Sequence, residues 1–404
     1  MYAKRTLSGV LGLAMVAGMS AAAFSGENRA LGVHPETGLA AAVIVENKAL
    51  AHTAQLLPVD ASGAVAGDTL DAQLAQVVKL LAAVLGEVGA GLDTIARLNV
   101  YVASDGLAVE AAGLLQKHLG AGAHPAVTLV VAQPADPAAL VMLDAIAAVA
   151  DERAPSAVLR RTSRVLPALP GVAHVAVLPK GRALHISGMA EMETPDLAEA
   201  STGTMKQLHE VLALNNVGPE HVVHLKAFMK PASGVAAAAQ AMADFYPGAA
   251  APPMTFVDWL NGIPTEIELI AWIPGDAAAD AAPVQHLWPP DVTPSPVYCR
   301  YTVVNSPTRI YTKGFTANAA LDAAGQVHNI FGQLHAALEA AGSDFRHMVK
   351  ATYYVTAEDT STALNEIRPF YYDPQHPPAA SKATVAGSGD ADRRLVLDMI
   401  GVGK

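Results

Sequence analysis

Few residues in this sequence could carry chemistry, and the two that stand out are carboxylates on one strand. In TEIELIAWIP, residues 265–274, Glu266 and Glu268 alternate with Ile267, Leu269, Ala271 and Ile273. Side chains two apart on a strand share a face, so both acids lie with Ile270 and Trp272. Carboxylates so placed either accept and orient protons or satisfy a polar neighbour. Cys299 is the single cysteine, which excludes an intrachain disulfide and a thiolate metal cluster. Within VYCRYTVV it reads as a strand-core residue rather than a nucleophile. His221 and His224 have i, i+3 spacing in EHVVHLK but precede a strand without an accompanying acid or histidine cluster, so no metal site is expected. His124 and His376 each stand before a proline and read as turn residues, with a place at a pocket edge as the alternative. His174, His185 and His209 have no triad partner visible in the sequence. There is no glycine-rich phosphate loop, no G-x-S-x-G elbow and no CxxC.

The elements that hold these residues belong to a chain of 404 residues, 52% hydrophobic and 16% charged, enough apolar material for a large core or several smaller ones. The formal charge is −11, with no basic face or tail, which argues against a nucleic-acid partner. The N-terminus, MYAKRTLSGVLGLAMVAGMSAAAFSG, places Lys4 and Arg5 before an apolar run and then Ala21-Ala22-Ala23. Residues 1–23 therefore read as a signal peptide, with an uncleaved anchor as the alternative. Export to the periplasm or the extracellular space is the expected localisation. Removal of residues 1–23 takes two basic groups and no acids, leaving a mature charge of −13. No later stretch is apolar and long enough to span a bilayer.

The chain repeats itself. RLNVYV (97–102), HLKAFM (224–229) and KATYYV (350–355) are three versions of one strand, starting at almost constant spacing. Each follows an amphipathic helix, in which Leu74, Val77, Val78, Leu81 and Leu85 give the 3.6 periodicity of the first, and Gly89, Gly218 and Gly342 read as helix stops. A two-strand segment precedes each helix and reads as a hairpin closed by an Asn-Lys, Lys-Gly or Asn-Ser-Pro turn. A second helix, around 106–118, 233–246 and 360–371, and a closing strand pair complete each unit. The order is β-β-α-β-α-β-β, an α+β layer with helices on one sheet face. The other face also carries apolar residues and needs a partner. The units span 38–150, 170–275 and 296–404, joined by linkers 151–169 and 276–295 that are rich in Pro, Ala and Asp.

The run HISGMAEMETPDLAEASTGTMKQLHEVLALNNVGPEHVVHLKAFM, followed by DFYP, PPMT and TEIELIAWIP, resembles a RidA (YjgF/YER-type, L-PSP) domain. The resemblance covers the whole second unit, and the flanking units follow with weaker local identity. It implies a chorismate-mutase-like fold that usually assembles as a homotrimer with ligand sites at subunit junctions. Three units in one chain then imply an intramolecular pseudo-trimer, a single chain binding a small molecule without cofactor or metal. The family's usual activity is hydrolysis of reactive imines or enamines such as 2-aminoacrylate. An arginine in a PAR-T segment grips the substrate carboxylate, and a glutamate at the head of a VEIEAIA strand orients the attacking water.

Carried over position by position, the resemblance puts Glu266 at the water-orienting place and Met254 where arginine is expected. The first unit offers Val127 and Met142 at those two positions, and the third Lys382 and Val396, with an alternative alignment there shifted by two. The family's glycine turn falls on Thr53-Ala54-Gln55, Ser187-Gly188-Met189 and Lys313-Gly314-Phe315. Asn365 matches an asparagine of the second helix, with Gln240 in its place in the second unit. No unit keeps both arginine and glutamate. Glu268, with counterparts Asp144 and Asp398, reads as a structural acid bonded to backbone or to a neighbouring unit. The expected site is thus Glu266 as catalytic group with Ser187, Gly188, Met254, Lys382 and Asn365 around the substrate, Lys382 arriving from the neighbouring unit. The alternative is a non-catalytic exported scaffold that binds a metabolite or a protein. A ribonuclease activity fits poorly with the mature charge.

Overall fold

The computed structural model describes residues 23–25, 28–167, 169–390 and 392–404; apart from Ala23, the proposed signal peptide lies outside the described residues. The chain runs β1 (Ala23–Ser25), β2 (Asn28–Leu31), β3 (Ala42–Glu46), β4 (Leu50–Thr53), α1 (Leu70–Gly86), β5 (Ile95–Val102), α2 (Asp105–Leu119), β6 (Ala126–Val131) and β7 (Val141–Ala148). It continues through β8 (Leu159–Arg161), β9 (Val175–Leu178), β10 (Arg182–Met189), α3 (Leu197–Leu214), β11 (Val222–Met229), α4 (Val235–Ala243), β12 (Met254–Asp258) and β13 (Thr265–Ile273). The last third is β14 (Val284–Leu287), β15 (Tyr301–Val304), β16 (Thr308–Thr312), α5 (Ala323–Ala340), β17 (Met348–Val355), α6 (Glu358–Ile367), β18 (Ala379–Thr384) and β19 (Leu395–Gly401). No helix among the described residues is long and apolar enough to cross a membrane.

The long helix of each unit begins where a side chain caps it. Thr69, Asp196 and Asp322 accept the free N–H of Ala72, Glu199 and Gly325 respectively. Each helix ends with an amide five positions on bonding back to a carbonyl, Ala90 to Leu85, Val217 to Leu212 and Ser343 to Leu338. The left-handed residue in that motif is Gly89 (φ 81°), Asn216 (φ 54°) and Gly342 (φ 75°). Gly218, read as the second stop, is extended, and asparagine supplies the left-handed turn because its short polar side chain tolerates it.

The strands form three sheets, ordered β6-β5-β7-β4-β9-β8, β12-β11-β13-β10-β15-β14 and β18-β17-β19-β16-β3-β2-β1. The segments read as hairpins are not hairpins. β3 pairs with β16 instead of β4, β9 with β4 instead of β10, and β15 with β10 instead of β16. Each unit therefore hands its first strand to the sheet of the preceding unit, and the first unit closes on the third. The linkers extend this exchange, since β8 and β14 add to the donated strands β9 and β15. A short turn permits either pairing, so sequence alone leaves the choice open; the apolar inner faces decide it. Helices cover the outer faces in separate cores built on Leu74 and Leu81, Met205 and Leu208, and Phe331 and Leu334. The inner faces meet each other in two mixed clusters. One joins Ala96, Val223 and Val349, and the other joins Tyr101, Phe228 and Tyr354, each drawing one residue from every unit.

Candidate functional site

Strand register fixes which residues are equivalent. Asp144, Glu268 and Asp398 lie opposite Asn99, Lys226 and Thr352, while Ile146, Ile270 and Ile400 lie opposite Arg97, His224 and Lys350. These side chains point to the shared interior, where they pair between units. Arg97 of the first unit contacts Asp398 of the third at 3.0 Å, and Lys350 of the third contacts Glu268 of the second at 2.6 Å. The third position breaks the pattern: His224 bonds Thr255 of its own unit at 3.2 Å, and Asp144 is satisfied by Asn99 and Tyr101 at 2.7 and 2.9 Å. Burial alone would raise Glu268, but Lys350 and Lys226 outweigh it and hold the carboxyl at about 2. Its neighbours His52, His185 and His224 are kept neutral by burial, His185 falling to about 3. Glu268 is accordingly a structural acid that ties two units together, and half of the TEIE pair is accounted for.

Glu266 faces a different place. It sits at the junction of the second and third units, beside Gly188 on β10 and against Ser381 and the Lys382 backbone on β18. A Cβ at position 188 would run into the Glu266 carboxylate, so glycine there is what lets the acid lie flat across the strand. The two strands are stitched by Ser187, which accepts the Ala380 N–H at 2.8 Å and donates to the Cys299 carbonyl at 2.6 Å, and by the Gly188 N–H on Ser381 Oγ at 3.1 Å. Glu266 Oε1 is sealed from solvent and has no hydrogen-bond partner. Burial, reinforced by Glu268, raises its carboxyl to about 7 against the pull of Lys350. A carboxyl held near neutrality, on a side chain that is only partly buried, can take a proton from a water that reaches its outer edge.

Cationic groups stand behind it on the third unit. Lys382 Nζ donates to Ser361 Oγ at 2.9 Å and to Asn365 Oδ1 at 3.4 Å. The buried Arg368 donates to the same Asn365 oxygen at 3.0 Å, lies over the Tyr353 ring, and keeps an unpartnered Nε. Burial and then Arg368 lower the Lys382 ammonium, while Glu358 and Glu266 oppose that shift. Five of the expected residues, Glu266, Ser187, Gly188, Lys382 and Asn365, are thus brought to this junction. Met254 is not; it lies at the junction of the first two units, where its carbonyl accepts the Gln55 N–H at 2.9 Å. The register also moves two assignments. Met254 and Val127 align with Ala380, so Lys382 stands two residues beyond the arginine position. The glycine turn of the first unit is Ala54-Gln55-Leu56, since Leu56 bonds Leu143 as Phe315 bonds Leu397. Arg368, Ser381 and Lys350 were missed by sequence reasoning; Lys350 alone left a trace, the alignment of KATYYV with RLNVYV that puts it level with Arg97.

The equivalent place between the first two units holds a cavity of about 460 Å³. Met142 replaces Glu266 in its wall, Phe256 replaces Lys382, and Gln55 replaces Gly188. Between the third and first units, Gly314 donates to the Val127 carbonyl at 3.0 Å and Val396 takes the acid's place. The remaining histidines make local contacts: His221 Nδ1 accepts the Gly218 N–H, His124 meets the Gly38 carbonyl, and His376 contacts Asp373. Among the described residues no cluster of three His, Cys, Asp or Glu side chains could hold a metal. Burial pushes the Cys299 thiol to about 12, in keeping with a core residue.

The sequence model of the family described as Endoribonuclease L-PSP matches residues 33–149 and 297–390, together just over half of the chain. The chain belongs to the Endoribonuclease L-PSP family, the RidA/YjgF group. The matched stretches fall in the first and third units, with the second between them. Among solved structures, a YjgF family member from Neisseria meningitidis is 16% identical, covering 30% of this chain and 95% of its own, with a TM-score of 0.23. A YjgF/YER057c/UK114 family member from Mycobacterium tuberculosis is 19% identical, covering 25% of this chain and 82% of its own, with a TM-score of 0.22. Yeast Mmf1 is 16% identical, covering 32% and 91%, with a TM-score of 0.22. No curated protein matches the sequence.

Proposed function

We propose that this L-PSP family chain is an exported intramolecular pseudo-trimer of RidA-like domains that hydrolyses a small imine or enamine at the junction of its second and third units. The observation that supports this reading is Glu266 itself, a partly buried acid set between the second and third units whose carboxyl burial raises to about 7. In the reaction an enamine first tautomerises to its imine. Glu266 as carboxylate takes a proton from water while the oxygen attacks the imine carbon, and the C=N electrons move to nitrogen. The proton passes to that nitrogen to give a carbinolamine; its hydroxyl proton is then carried by Glu266 to the amine as the C–N bond breaks and the carbonyl forms, so one water is consumed for one carbonyl compound and one ammonia released. Lys382, and Arg368 behind it, favour an anionic group on the substrate, held less rigidly than a bidentate arginine would hold it.

The test is ammonia release from freshly generated imines by residues 24–404, run beside Glu266→Gln. Release by the wild type that drops by about 10²–10⁴ in the variant supports the reading. Release that is absent from both sinks it and favours the second reading, a binding scaffold. That reading draws on Met254, Val127 and Ala380, none of which can grip a carboxylate.

A further inference from the structure

We infer that the cavity between the first and second units is a binding site for a small, uncharged aromatic molecule. This inference is independent of the imine-hydrolysis reading, because it concerns a different junction and different residues. The cleft opens to solvent and amounts to about 460 Å³, within the range of small-molecule sites. It is a built chamber rather than a packing defect. Its floor is Met142, Met254 and Phe256, all buried, which come from strands of both units. Its roof is Leu166, Pro167 and Leu169, from the stretch that links the two units.

The chemistry of the wall selects the ligand. Among the described residues no lysine or arginine lines the chamber, so a carboxylate or phosphate would enter without a counter-charge and would lose its hydration. Asp136 and Asp258 stand at the partly exposed mouth, and burial raises the Asp258 carboxyl. They add a further bias against anions. Three methionines, Met142, Met229 and Met254, turn toward the space with Phe256, and thioethers favour aromatic ring edges over aliphatic chains. His174 brings no charge: its Nδ1 accepts the Ser163 N–H at 2.9 Å, which leaves the proton on Nε2 toward the Pro167 carbonyl. The replacement is coordinated. Where the next junction has Glu266 and Lys382, this one has Met142 and Phe256, so two ionisable side chains give way to apolar ones that an aromatic ring can contact.

The experiment is a ¹⁹F NMR titration of the full chain with 5-fluoroindole, and in parallel with 5-fluoroindole-2-carboxylate. Saturable binding of the neutral ring is expected, with the carboxylate weaker by at least about tenfold. Ala232→Trp, at a partly exposed turn in the wall, and Met254→Arg, in the floor, are each expected to weaken 5-fluoroindole by at least about tenfold, while Glu266→Gln changes it by less than about twofold. Circular dichroism confirms that each variant is folded; Ala232→Trp keeps the test open should Met254→Arg unfold the protein. The inference is overturned by absent saturation, by wild-type affinity in folded Ala232→Trp, by equal affinity for the carboxylate, or by loss of binding in Glu266→Gln.

Discussion

Glu266 and Met142 occupy the same register on equivalent strands, yet one junction buries an ionisable group and the other encloses an apolar chamber. Around Glu266, Gly188 leaves room for the carboxylate and Lys382, Asn365 and Arg368 supply polar and cationic surroundings. Around Met142, Gln55 fills the glycine's place and turns its amide to the Phe256 carbonyl at 2.8 Å, away from any acid. Three units made on one plan have thus kept the inter-unit scaffold and let the junction chemistry diverge. The comparison teaches that a buried acid survives only with its whole setting. Change the neighbours to methionine and phenylalanine and the same backbone accommodates a neutral ring instead.

That contrast can be broken in several ways. The largest expected effect is on the buried ion pair between the second and third units: Lys350→Met leaves Glu268 in the interior with only Lys226 as a nearby cation and should cost about 3–5 kcal/mol, read as a fall in urea midpoint. The double variant Lys350→Met/Glu268→Met should recover much of that loss, and no recovery would show that Glu268 serves some purpose beyond pairing. Next, Met142→Glu transplants the acid without its surroundings and should destabilise by about 2–4 kcal/mol while abolishing 5-fluoroindole binding. A neutral outcome would mean that this junction already tolerates charge.

The pH dependence comes next in size. The folded-state ionisation of Glu266 lies near 7, above the ordinary 4.5, so the protonated carboxyl stabilises the fold below the unfolded value and the contribution is lost as pH rises through about 7. Glu266→Gln should therefore raise stability by about 2–3 kcal/mol at pH 8 and change little at pH 4, measured as urea midpoints at both. On the activity side, kcat/KM for imine hydrolysis should rise along a single limb near pH 7, absent in any residual activity of the variant. The smallest effect is expected from Lys382→Met, which should raise KM several-fold, about 1 kcal/mol of binding, with kcat held. A fall in kcat instead would place Lys382 in the chemical step.

Much of this was legible in the sequence because repeats and periodicity are local. The strand copies at 97, 224 and 350, the helix caps and the paired TEIE acids follow from side-chain spacing along single segments. The reading of Glu268 as an acid bound to a neighbouring unit rested on its having counterparts Asp144 and Asp398, and Lys350 is the partner that the sequence could not name. The hairpins failed because a turn of a few residues, such as Asn47-Lys48-Ala49, joins strands of one sheet or of two equally well. Lys382 fell two residues off because a short small-residue run, AASKAT, has no internal mark of register, and pairing with β17 decided for the shifted alignment; Met254 kept its register but faces the first unit, because each junction draws its strands from two units.

Sequence by itself determined the element order, the threefold repetition, the acidic charge and the presence of one acid without counterparts. Tertiary structure decided which strands exchange between sheets, which cation meets which carboxylate, and that one junction holds an acid while its neighbour holds a largely apolar cavity. The physical reason is range. Propensity, capping and alternation act over a few residues, whereas Lys350 and Glu268, or Met142 and Met254, meet only when three inner sheet faces bury one another.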